Sequence, residues 1–239
     1  EAPFRAPHHT SSYIAVIGGG TFPRPGEVTL AHRGVLFLDE FPEFDRRVIE
    51  SLREPIEEGE VSIARAKGSE VFPAEFILIA ALNPCPCGYW GDKTKECVCS
   101  PAHLQKYRRK ISGPIIDRVD MWLEVTRIEH KKLSEDTEEG VDTKNVQEKI
   151  KNARKKQLER FGKEKILNSQ MGVKEIKKYL PLSDEVKNTL NNAAKKLDLS
   201  ARAYHRVMKL SRTIADLEDS EEIEELHILE ALQYRPKEN

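Results

Sequence analysis

The 239 residues carry 39 basic and 40 acidic side chains, a formal net charge of −1. A near-neutral chain of this length holds one large domain or two smaller ones, and any nucleic-acid surface on it must be local. No apolar run approaches the ~20 residues that span a bilayer and no signal-peptide pattern opens the chain, so a soluble cytoplasmic protein with no membrane partner is expected.

Residues 1–33 are rich in proline, glycine and histidine. Ser12–Ile17 and Glu27–Ala31 read as short strands and predict a hairpin across Gly18-Gly19-Gly20. The glycines are not a phosphate loop, because Thr21, Phe22 and Pro23 follow where Gly-Lys-Ser/Thr would be needed. His8 and His9 would point to opposite sides of an extended chain and read as loop histidines rather than a metal pair. Gly34-Val35-Leu36-Phe37-Leu38-Asp39-Glu40 is a short apolar run ending in two carboxylates. Pro42 stops it, and it reads as a strand buried on both faces. Two acids at the end of such a strand are costly unless they bind a cation or polarise water. The plain alternative is a core strand leading into an acidic loop.

Asp45–Pro55 reads as one helix with Val48, Ile49 and Leu52 inward. Glu60–Ala66 and Glu70–Ala74 flank Lys67-Gly68-Ser69, a β-hairpin with a basic tip at Arg65 and Lys67. Phe76–Leu82 is a second buried strand, ending at Asn83-Pro84. Strand, helix, strand fits a βαβ unit, whose ligand site lies beyond the carboxyl ends of the strands. Cys85-Pro86-Cys87 and Cys97-Val98-Cys99 can close a tetrahedral Zn²⁺ site, with free thiols and redox pairs as the rival readings. Lys106, Arg108, Arg109 and Lys110 follow, then a strand from Asp120 to Val125. A charged stretch from Glu129 reads as a linker. Beyond it the pattern is helical: Val146, Ile150 and Ala153; a Ser183-capped helix with Val186, Leu190, Ala193 and Leu197 inward; a Ser200-capped helix with Ala203, Val207, Leu210, Ile214 and Leu217; and a last helix carrying Ile223, Leu226 and Leu229.

The wording is more specific than the pattern. The order of strand plus Asp39-Glu40, basic-tipped hairpin, strand plus Asn83, Asp117-Arg118 and Ser200-Ala201-Arg202 resembles the AAA+ ATPases, and the wording of Phe4 to Thr10 (FRAPHHT), Gly18-Gly19-Gly20, Pro25-Gly26-Glu27, Gly34 to Phe41 (GVLFLDEF), Asn83 to Gly88 (NPCPCG), Ser112 to Asp120 (SGPIIDRVD) and Ser211 to Leu217 (SRTIADL) points further. Within them the resemblance is to the Mg-chelatase-like ComM/YifB family, related to the magnesium-chelatase ATPase subunit and the MCM helicases. It implies an α/β fold: a truncated AAA+ P-loop NTPase core with a parallel sheet and β-hairpin inserts over 1–128, a linker over 129–145, and a small all-helical lid over 146–239.

The same resemblance assigns roles. Asp39 matches the Walker B acid that holds Mg²⁺, and Glu40 the general base for the attacking water. Asn83 matches sensor 1, Arg118 an arginine finger acting on a neighbour's ATP, and Arg202 sensor 2, with Arg206 competing one turn later. Read without the family, Asn83-Pro84 starts a turn. Arg118 pairs with Asp117 or Asp120, and Arg202 is an exposed helix residue. The Arg65–Lys67 hairpin implies a DNA contact, and ATP hydrolysis in a homo-hexameric ring would drive helicase or branch-migration activity in DNA uptake and recombination. The alternatives are a chelatase-type motor acting on a partner protein, and a non-catalytic assembly module. The family's Gly-Lys-Ser/Thr loop would lie upstream of Phe4. The chain is therefore expected to be the C-terminal part of a longer protein, hydrolysing ATP poorly or not at all alone.

Overall fold

A computed structural model describes residues 1–65, 68–92, 94–125, 142–162 and 166–236, and the chain divides into two compact units, Glu1–Arg118 and Val119–Asn239. In the first unit, β1 (Phe4–Arg5), β4 (Val35–Leu38) and β7 (Ile77–Ala80) form a parallel sheet in the order β1-β4-β7. Val35 pairs with both Phe4 and Ile77, and Leu38 with Ala80. Gly34 permits the β1 approach: a Cβ there would lie 1.9 Å from the Pro3 carbonyl oxygen.

One face of this sheet makes the core. Leu36 and Leu38 are fully buried, as are Val48, Ile49 and Leu52 beneath them and Ile115 alongside. Each such side chain contributes roughly 1.5–3 kcal/mol of burial. The other face, expected to be covered as well, is open among the described residues. Phe4, Ile77 and Ile79 are 64%, 61% and 47% exposed, and Phe4 stacks on Phe37 with centroids 6.2 Å apart. Among the described residues no strand lies beyond β7 in this sheet, and its apolar run alternates in burial although its sequence does not.

Ser12–Ile17 and Glu27–Ala31 are helical rather than extended, forming α1 (Tyr13–Ile17) and α2 (Glu27–Leu30). Ser12 Oγ accepts the Ala15 N–H at 3.2 Å, a helix cap that overrides the β-branched composition. The hairpin is instead the glycine run itself, β2 (Gly18–Gly19) against β3 (Arg24–Pro25). Its backbones pack so closely that a Cβ on Gly26 would sit 2.4 Å from the Gly18 nitrogen. The single helix expected over 45–55 is two, α3 (Arg46–Ser51) and α4 (Arg53–Glu58). Pro55 has no N–H to donate to the Ser51 carbonyl, so the ladder breaks there. β5 (Glu60–Arg65) and β6 (Gly68–Pro73) form the expected antiparallel hairpin, closing at Arg65↔Gly68. α5 (Pro101–Arg108) and α6 (Gly113–Ile116) complete the unit.

The second unit is helical: α7 (Thr143–Phe161), α8 (Val173–Tyr179), α9 (Asp184–Lys196), α10 (Ala201–Leu217) and α11 (Glu225–Gln233). Ser183 and Ser200 cap α9 and α10 as expected, accepting from Val186 N and Ala203 N. Leu190, Val207, Ile214 and Ile228 lie in its core. Leu197, expected inside, is the C-cap of α9 and 48% exposed, while on α11 Leu226 and Leu229, also expected inside, are 72% and 43% exposed and Ile228 and Ala231 face inward. No strand forms over 120–125. That segment bonds singly along the helical unit, with Trp122 N donating to Tyr234 O at 2.8 Å and Arg235 Nη1 to Val119 O at 2.9 Å. Most of the 129–145 stretch lies outside the described residues. Among the described residues no helix is long and apolar enough to cross a membrane.

Ser211–Leu217 turns out to build a buried charge network. Asp216, 1% exposed, receives both Arg160 Nη1 (2.9 Å) and Nη2 (2.6 Å) and Asn168 Nδ2 (2.8 Å). Arg212 Nε approaches it at 3.1 Å without a hydrogen bond, while the same guanidinium donates to the Ser220 and Glu221 carbonyls.

Candidate active site

Parallel pairing of β4 with β7 brings their carboxyl ends side by side. Ala81 N donates to Leu38 O and Phe41 N to Ala81 O, both at 2.9 Å, so Asp39, Glu40 and Asn83 leave the sheet at the same end. Glu40 sits in the left-handed region at φ 51°, ψ 42°. For a side chain with a Cβ this costs about 1–3 kcal/mol, and such strain collects at functional sites. Its N–H is taken by Asp39 Oδ1 at 2.8 Å and its carbonyl by Glu43 N at 2.7 Å, opening a 3₁₀ turn over Phe41–Glu43. The backbone is thereby fixed while the carboxylate stays 53% exposed.

That carboxylate has a partner missed in the sequence reading. His9 Nδ1 lies 2.9 Å from Glu40 Oε2, with the ring edge-on to Phe44. The two histidines do not point apart: a turn closed by Ser11 N donating to His8 O folds the chain, and their centroids come within 4.1 Å. His8 is engaged locally, with Nδ1 2.9 Å from Thr10 Oγ1. Pro7 and the Thr10-Ser11-Ser12 run were the available turn signal.

Asn83 is exposed, and its backbone carbonyl accepts the Tyr107 hydroxyl of α5 at 3.1 Å. Burial, with Glu43 next, pushes the Tyr107 phenol up, so it stays a protonated donor. Immediately beyond Asn83 the four cysteines converge, with all their Sγ atoms within 4.8 Å of one another. Cys85 is fully buried. The Tyr89 backbone amide holds the Cys87 thiol down at about 6, whereas desolvation pushes Cys99 up.

Arg118 follows α6 and pairs with neither Asp117 nor Asp120. Its Nε donates to Glu57 Oε2 of α4 at 2.9 Å and its Nη1 to Pro114 O at 2.9 Å, leaving the side chain 12% exposed. Asp120 is ion-paired with Arg206 inside the second unit. Arg202 is exposed in the first turn of α10, and Arg206, the other sensor-2 candidate, is the partner of that Asp120. Of the expected DNA contacts, Arg65 ends β5 and Lys67 lies outside the described residues. Positive charge also gathers between α3 and α5, where Arg46, Lys106, Arg109 and Lys110 line a cavity of ≈ 400 Å³ and Lys110 pairs with Glu43 at 2.8 Å.

Residues 1–133 match the family model described as magnesium chelatase, subunit ChlI. The chain belongs to the magnesium chelatase ChlI family. Residues 140–235 match the C-terminal model of the same ChlI subunit, so the family covers both compact units. Among its relatives is the competence protein ComM of Haemophilus influenzae, 45% identical over 235 residues that cover 98% of this chain and 45% of ComM. YifB of Salmonella typhimurium is 41% identical over 98% of this chain and 46% of its own length. The DNA replication licensing factor mcm-6 of Caenorhabditis briggsae is 29% identical over 86% of this chain and 25% of that protein. This ChlI-family chain thus spans about half the length of the curated relatives it matches. The parallel sheet with its hairpins and the helical unit after it are the α/β and all-helical parts expected of a Mg-chelatase-like AAA+ protein.

Proposed function

We propose that the chain is part of an AAA+ ATP-driven motor of the ComM/YifB type, coupling ATP hydrolysis to DNA remodelling by helicase or branch-migration action during DNA uptake and recombination. The observation that carries this reading is the convergence of Asp39, Glu40 and Asn83 at the carboxyl ends of two adjacent parallel strands. Asp39 would hold Mg²⁺, whose charge offsets that of the phosphates when it is bound. Glu40 takes a proton from the attacking water, and His9 restrains its carboxylate. Asn83 hydrogen-bonds the γ-phosphate or that water. Arg202 serves as sensor 2. A homo-hexameric cytoplasmic ring supplies each ATP with its neighbour's Arg118, and the four cysteines take a structural zinc ion.

Arg118 is held within its own subunit by Glu57, so acting in trans requires that pair to open. A partly exposed pair costs about 1 kcal/mol or less to break, against roughly 10³ to 10⁵ in rate from a finger. In the full-length protein, Arg118→Ala is therefore expected to lower ATP turnover at least about 10³-fold. Glu57→Gln should leave turnover within about fivefold of wild type or raise it. Equal losses from the two substitutions would mean that Arg118 acts only by bracing α6 on α4.

The DNA reading draws on the similarity to a competence protein and to a replication licensing factor. Its test is the ATPase rate of the full-length protein with and without DNA. Stimulation that weakens with salt and falls in Lys67→Ala is expected. Stimulation by a partner protein and not by DNA would favour the chelatase-type reading. No nucleotide turnover under any condition would favour an assembly module.

A further inference from the structure

We propose, resting on the reading of Asn83 given above, that a zinc ion held by Cys85, Cys87, Cys97 and Cys99 sets the position of Asn83 at the hydrolysis site. The sulfurs are already arranged for it. Cys85 Sγ lies 3.4 Å from Cys87 Sγ and 3.7 Å from Cys97 Sγ, and Cys87 lies 3.5 Å from Cys97. A tetrahedral ion with Zn–S of about 2.3 Å spaces its sulfurs about 3.8 Å apart, whereas a disulfide needs about 2.0 Å. Thiols are weak donors to one another, so without a cation this packing satisfies them poorly.

The surrounding backbone is shaped as a knuckle. Gly88 adopts φ 80° and its N–H closes a turn onto the Cys85 carbonyl at 3.0 Å. The Trp90 N–H then points at Cys85 Sγ at 3.3 Å. Amide hydrogen bonds to a ligand sulfur orient it and stabilise its thiolate.

What the ion would tie together is specific. Asn83 lies between Ala81, bonded to Leu38 of β4, and Cys85, buried and two residues on. Cys99 directly precedes Ser100, whose Oγ caps α5 at His103 N (3.3 Å). The same helix carries Tyr107, the donor to the Asn83 carbonyl. One ion thus joins the strand end on one side of Asn83 to the helix that grips it on the other. Without the ion, Cys85 and the start of α5 relax independently and Asn83 loses its register.

The test uses the full-length protein. One zinc per chain is expected after purification without chelator, and the cobalt(II)-substituted protein should show the strong visible absorption of a tetrahedral thiolate site. Cys97→Ser should lower kcat roughly 10- to 100-fold, since a misplacement near 1 Å is enough for such a loss. The KM for ATP should stay within about twofold. Cys99→His, which keeps four ligands, should recover most of the turnover. Should Cys97→Ser fail to fold, wild-type protein stripped by a chelator and assayed with Mg²⁺ restored gives the same comparison, with circular dichroism reporting the fold. Substoichiometric zinc with no cobalt spectrum overturns the proposal. So does wild-type turnover in stripped protein, or a loss of turnover that merely tracks global unfolding. A wild-type protein with one zinc per chain and no ATPase activity would instead sink the reading of the site on which the proposal rests.

Discussion

Glu40→Gln in the full-length protein is expected to lower ATP turnover about 10³-fold while nucleotide affinity stays within about twofold, the pattern of a lost proton acceptor. The amide keeps the shape and the left-handed backbone of the native residue, whose conformation is fixed by Asp39 Oδ1 and Glu43 N rather than by its own carboxylate. It removes the ability to take a proton from water and leaves the backbone in place. Single-turnover rates and nucleotide binding on the same preparation separate the two quantities. A loss of binding that accounts for the whole drop would return Asp39-Glu40 to the plain reading of a strand running into an acidic loop. His9 sharpens the comparison. Its contact with Glu40 is made through the side chain, so it is the contact the amide weakens first.

The second large effect lies in the helical unit. Asp216→Ala should destabilise the helical unit by about 3–5 kcal/mol, because it strands buried cations instead of removing a balanced pair. Arg160 is left without its bidentate acceptor, and Arg212, 4% exposed, loses its nearest anion. Burial already pulls the Arg212 guanidinium down from its ordinary range, and Asp216 is the main opposing influence. Urea or thermal unfolding followed by helical circular dichroism reads the cost directly. A change below about 1 kcal/mol would place Asp216 among ordinary exposed pairs. Replacing Arg160 and Asp216 together with apolar residues should cost less than the two single changes summed, since neither charge then remains unpaired.

Sequence reading located the elements whose signal is local. The Val35–Leu38 strand, the hairpin across Arg65 and Gly68, and the serine caps of α9 and α10 each announce themselves within a few residues. It failed where the answer depends on what lies across the fold. Ser12–Ile17 looks like a strand by composition, yet one serine hydroxyl decides for helix. Ile77 and Ile79 read as doubly buried, whereas among the described residues one side of their strand is open, and a run of apolar letters does not say which neighbours cover it. His9 was set aside on the geometry of an extended chain, and a four-residue turn reversed it. Arg118 found its partner 61 residues upstream rather than beside it. The Ser211–Leu217 wording was recognisable as a family signature, while its physical content, a salt-bridged core, was not.

The bare face of the first sheet also governs how this chain behaves as a colloid. Phe4, Ile77 and Ile79 lie on a surface bordered by a strand edge that no other described strand covers. Such an edge offers unmet amides and carbonyls beside apolar area, the two ingredients of strand-to-strand self-association. A formal charge of −1 supplies almost no repulsion between molecules to oppose it. The working concentration of the isolated chain is therefore set by its least decorated surface, and not by the stability of the cores beneath.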